Sequence, residues 1–324
     1  WFWLAVVGVG ALAGVGGAAT QAASAAAIPL WFLANYVIDT TLAPYTFRWF
    51  HHRRGVLLGA LVGLFAIGEA ANLAGIPVVP QINWVGGWLL FQIAGFAWHA
   101  GALPTGRRLV AGAAALWATA AATVVIGPWS ASMLHHGGLE VSPTHPPSLA
   151  FMVFGFAYAA TAAALAPAVN RWLVRSRRAW TATIAANSVA MSVYLWHMTA
   201  AMVVTGALLA LDLVPTVAPA VGVWWWLKIP VLATQAAVLA LIVVRVAPVE
   251  RGALLGGARR WTAPPVVLLA IAACLSVAIK AWSSMQASVL VPGLVATAVV
   301  VALLGRWSAP ASPAGTEAGR VRTR

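Results

Sequence analysis

The sequence predicts an all-α membrane protein, a bundle of about ten transmembrane helices, and three observations predict it. Hydrophobic residues fill 62% of the 324 positions and charged residues only 8%, against roughly a quarter charged in an ordinary soluble domain. The apolar residues gather into runs of spanning length, because a helix rising about 1.5 Å per residue needs about 20 residues to cross a hydrocarbon layer roughly 30 Å thick. Gly, Ala and Trp are abundant and strand-like alternation is absent, so helices and not barrel strands satisfy the backbone in lipid.

The runs follow one another at 2–20, 27–46, 55–76, 84–103, 109–127, 148–168, 181–209, 224–246, 263–280 and 288–304. Arg48, Arg53 and Arg54 follow the second, Arg107 and Arg108 the fourth, and Arg171, Arg175, Arg177 and Arg178 the sixth. Arg245, Arg251, Arg259 and Arg260 follow the eighth, and Arg306, Arg320, Arg322 and Arg324 lie beyond the last. All but Lys228 and Lys280 of the 19 basic residues thus fall on alternate connections. Basic loops stay in the cytoplasm, so both termini are expected there, in a multi-pass protein of the cell membrane. The net charge of +13 is dispersed in these clusters instead of forming one face, which argues against a nucleic-acid partner.

The connection at 127–147 is rich in Gly, Pro, Ser and His and is expected to be irregular structure outside the bilayer. It carries His135, His136, Glu140 and His145, but their spacing matches no helix-borne zinc motif and no metal is expected. Cys274, the single cysteine, excludes an intrachain disulfide and a Cys-based zinc site. Trp84, Trp172, Trp180 and Trp224–Trp226 sit near the run boundaries, where amphipathic rings favour the headgroup layer. The division expected is a membrane domain over 1–306 and a disordered cytoplasmic tail over 307–324, too polar and too rich in Pro and Gly to bury a core.

Polar side chains inside the runs are few. Asn35 and Asp39 share a face of the second run, Glu69 and Asn72 of the third, Gln92 and His99 of the fourth. The seventh carries Asn187, Tyr194 and His197. These four runs are expected to turn polar faces to a common interior, because an ionisable group at bilayer depth costs roughly 2.5–3.5 kcal/mol on insertion scales. The competing reading is that they are hydrogen-bond pairs holding the bundle, worth about 0.6 kcal/mol each. Glu69 and His197 have the stronger functional claim, since they can exchange protons.

The segment Asn187-Ser188-Val189-Ala190-Met191-Ser192-Val193-Tyr194-Leu195-Trp196-His197 resembles the S-x-x-x-Y-L-W-H element of the membrane acyltransferase 3 family. Pro29-Leu30-Trp31-Phe32-Leu33, followed by Tyr36 and Pro44, is similar to its LWFL helix, and Ser142–Ser148 lies where actinobacterial members carry a Ser/Pro-rich external segment. The resemblance runs from about Pro29 to Val246. It implies transfer of an acyl group, commonly acetyl, from acyl-CoA as co-substrate to a hydroxyl of a carbohydrate, lipid or other small acceptor, often for a cell envelope, with no tightly bound cofactor. It further implies Tyr194 and His197 as catalytic residues, with Glu69 or Asp39 orienting a partner. Asn35, Asp39 and Asn187 would meet substrate, and Arg48, Arg53, Arg54 and Arg107 the CoA phosphates, which guanidinium pairs bidentately; the competing and favoured reading of these arginines is a topology signal alone. The family's first helix carries Arg or Lys eleven residues before a His, and no His here has that partner. The N-terminal helices are therefore expected to be missing, and activity to need them.

A transporter or flippase for a small polar or lipid-linked molecule is the rival from another class, since it also needs many helices and a polar midplane. No inverted repeat is visible between the halves.

Overall fold

In a computed structural model the described residues are 2–76, 79–131, 143–144, 146–213, 222–255 and 260–261, with isolated positions beyond. They form nine helices: α1 Phe2–Leu12, α2 Gly16–Ala27, α3 Leu30–His52, α4 Arg54–Leu73, α5 Asn83–His99, α6 Arg107–Ile126, α7 Leu149–Arg175, α8 Arg177–Ala210 and α9 Gly222–Leu255. A 3-10 turn at Val79–Ile82 leads into α5, and one antiparallel pairing joins β1 Arg260–Trp261 to β2 Ser308–Ala309. Five helices are long and apolar enough to cross a membrane: α4, α6, α7, α8 and the Trp225–Pro248 part of α9. Large apolar side chains cover their outsides, with Ile126 and Val174 each 84% exposed, as a lipid-facing surface requires and a water-facing one penalises. Apart from isolated positions, the runs at 263–280 and 288–304 and most of the tail lie outside the described residues; Ser308 and Ala309 of that tail are the ones paired with Arg260 and Trp261.

The chain divides into two units, residues 1–34 with 183–324 and residues 35–182. In the first, the apolar run at 2–20 is not one helix. It breaks at Gly14, whose φ of +78° suits glycine, into helices of 11 and 12 residues, each about 16–18 Å long and so shorter than the hydrocarbon layer. The two pack closely because Gly10 faces Ala19, where a Cβ would come within 2.6 Å of the Ala19 methyl. Trp3 Nε1–H donates to Thr199 Oγ1 on α8 at 3.2 Å. Val9 and Ala13 share a cleft of about 880 Å³ with Val203, Gly206 and Leu209 of α8.

In the second unit, Phe50 at the end of α3, Leu57 and Leu61 of α4, and Leu89 and Ile93 of α5 form a buried apolar cluster. Helices α6 and α7 make a hairpin whose contact is built on small residues, with Ala113 and Ala120 the buried positions of α6 and Ala157 and Ala163 among those of α7. Small side chains let backbones approach, which drives helix association where no water is expelled. Trp117 of α6 donates its indole N–H to Thr161 Oγ1 of α7 at 3.0 Å and meets the edges of Phe154 and Tyr158.

Candidate functional site

Three groups of polar residues stand out in the second unit. The first ties α3 to α5: Gln92 Nε2 donates to the Asp39 carbonyl at 2.8 Å, and Thr46 Oγ1 donates to Gln92 Oε1 at 2.6 Å. Asn35 is buried one turn before Asp39. The Asp39 carboxyl has an enclosed oxygen, Oδ1, with no hydrogen-bond partner among the described residues.

The second group forms where α4 ends and α7 begins. Glu69 is 7% exposed and Asn83 0%. Glu69 Oε1 accepts the Leu149 backbone N–H at 3.0 Å, and its Oε2 lies 3.4 Å from the Asn83 amide nitrogen, which also donates to the Pro147 carbonyl at 3.1 Å. Ser148 caps the same helix by accepting the Phe151 N–H at 3.3 Å. Orphan N–H groups and the positive end of the dipole make a helix start a favourable place for a carboxylate. Gly68 completes the arrangement, since a Cβ there would land on the Asn83 side chain.

The third is the corner between α3 and α4. Arg48, Trp49, His52 and Arg53 line a pocket of about 470 Å³. Neither carboxylate described in this unit, Asp39 or Glu69, lines it. Arg54 instead holds its guanidinium 6.0 Å from the Phe50 ring centroid.

In the first unit, the edge of Phe32 meets the Tyr194 ring, with centroids 5.0 Å apart. His197 is exposed, as is Asn187, and so the imidazole is not enclosed in the way its sequence position suggests. Its Nδ1 lies 2.5 Å from the Tyr194 carbonyl. A carbonyl oxygen only accepts, so in the neutral ring Nδ1 carries the proton and Nε2 keeps the basic lone pair.

No family model, curated protein or solved structure matches the chain.

The sequence-derived site residues therefore separate. Gln92 joins the backbone of Asp39, whereas Glu69 turns to Asn83 and the start of α7, with both its oxygens engaged. Arg48 and Arg53 converge and Arg54 does not. His135, His136, Glu140 and His145 lie outside the described residues. Sequence reasoning missed His52, Trp49 and Asn83. The run His51-His52-Arg53-Arg54 was a signal for the first; the partner of Asn83 lies 64 residues away, and no local spacing announces it.

Proposed function

We propose that the chain is the membrane body of an acyltransferase that moves an acyl group, acetyl in the simplest case, from acyl-CoA to a hydroxyl of a carbohydrate, lipid or small acceptor. The observation that carries this reading is the basic corner of Arg48, His52 and Arg53 around Trp49. Two guanidinium groups and an imidazole suit the phosphates of CoA, and an indole suits its adenine. The resemblance at Asn187–His197, in the other unit, is read by itself: His197 Nε2 accepts a hydrogen bond from the acceptor hydroxyl and the Tyr194 hydroxyl donates to the carbonyl oxygen that becomes negative, while the first-helix His that the resemblance implies takes the hydroxyl proton; the thioester C–S bond then breaks and CoA leaves as the thiol with that proton. The architecture proposed with it has about ten spans, counting α3, α5 and the runs at 263–280 and 288–304 with the five helices of spanning length, in a cell-membrane domain over 1–306 whose basic connections and C-terminus are cytoplasmic. The arginine partition then puts the basic corner on the side where acyl-CoA is found.

Titration of acetyl-CoA into the detergent-solubilised chain tests the reading. Binding is expected, and the double variant Arg48→Ala, Arg53→Ala should weaken it by tenfold or more, since a hydrogen bond to a charged group is worth about 1.5–3 kcal/mol. Absence of binding to either acetyl-CoA or a longer acyl-CoA would favour the flippase reading. For that alternative, the break between the short α1 and α2 is the relevant observation, because interrupted helices line transport sites.

A further inference from the structure

A second cavity of the same unit has no part in the chemistry above. Between α5, α6 and α7 lies an apolar groove of about 470 Å³, walled by Phe91, Trp98, Leu109, Leu116 and Phe156. The one charged residue lining it is Arg108, in the first turn of α6, with Arg107 beside it in sequence. No acidic residue lines it. Trp98 of its wall is well exposed, so the groove opens on the outer surface of these apolar helices. Its volume falls within the roughly 300–1,000 Å³ of small-molecule sites. Glycine keeps it open from two sides: a Cβ at Gly95 on α5 or at Gly112 on α6 would meet nothing within 4 Å.

An apolar channel ending in a guanidinium fits an amphiphile with an apolar chain and an anionic head, and in a membrane the abundant molecule of that kind is a phospholipid. Basic residues between helices at the membrane surface select the anionic ones. We propose that the groove holds one acyl chain of an anionic phospholipid, with its phosphate against Arg108. The positive charge decides the head and the aromatic and aliphatic walls decide the chain.

Native mass spectrometry of the delipidated full chain, titrated separately with phosphatidylglycerol and phosphatidylcholine, tests this. Phosphatidylglycerol should be retained in preference to phosphatidylcholine. Arg108→Gln should lower its retention about fivefold, the worth of one basic residue beside an anionic lipid, and Arg107→Gln, outside the lining, should leave it unchanged. Gly112→Leu should fill the groove and abolish retention. Gly95→Leu, on the facing helix, makes the same test if the first variant fails to insert, and circular dichroism checks the helix content of each. Equal retention of the two lipids, equal loss in Arg107→Gln and Arg108→Gln, or undiminished binding in the groove-filled variants would overturn the proposal. So would displacement of phosphatidylglycerol by palmitoyl-CoA at equal concentration, which would make the groove a donor site.

Discussion

At the scale of single side chains, Glu69 holds the Leu149 N–H on one oxygen and the Asn83 amide on the other. Glu69→Ala takes the acceptor from the Leu149 N–H and leaves the Asn83 amide only the Pro147 carbonyl, and should cost about 1–3 kcal/mol, whereas Glu69→Gln keeps one acceptor and should cost less. Thermal unfolding in detergent is expected to rank wild type above Gln above Ala; an Ala variant as stable as wild type would remove this role. Gly68→Ala should destabilise through the same group, because its methyl displaces Asn83. In the full-length enzyme His197→Ala is expected to slow acyl transfer about tenfold or more, and loss of His135 much less. Normal transfer by an inserted His197→Ala protein would reduce the motif to packing. Reading the sequence singled out Glu69 as an ionisable group in an apolar run. What it could not supply was the partner, a backbone N–H that becomes available only because a helix starts at Leu149.

Among the elements, the α6–α7 hairpin separates two kinds of helix adhesion. Ala157→Leu puts a large side chain into the small-residue contact and should cost about 1–3 kcal/mol by overpacking. Thr161→Val removes the bond from Trp117, together with the hydroxyl's local bond to the Ala157 carbonyl, and should cost about 0.6 kcal/mol across the contact. Chemical denaturation of both variants in mixed micelles measures the difference, and equal costs would mean that close packing does not dominate the contact. Most helix boundaries were legible from hydropathy, as at Ser148, where a capping hydroxyl precedes an apolar run, and at Arg54 and Arg107, where an arginine opens one. The break at Gly14 was not. Ala13-Gly14-Val15-Gly16-Gly17 is apolar throughout, so a hydropathy window runs straight over it, and the glycine spacing was the only trace of a turn.

For the whole molecule, the arginine partition predicts which connections face the cytoplasm. With Cys274 replaced by Ser, an impermeant maleimide added to intact cells should label a cysteine placed at 137 and spare one placed at 177. The reverse labelling would invert the orientation. The node at Glu69 adds a demand of another kind, on the order in which the chain is made. Asn83 emerges 14 residues after Glu69, but the Leu149 N–H comes 80 residues after it, a delay of about 4–16 s at roughly 5–20 residues per second. During that interval α4 and α5 stand in or beside the insertion machinery with a carboxylate still waiting for the helix that completes it. Slowing translation between codons 83 and 149 should therefore lengthen the time for which this half of the protein is open to membrane proteases.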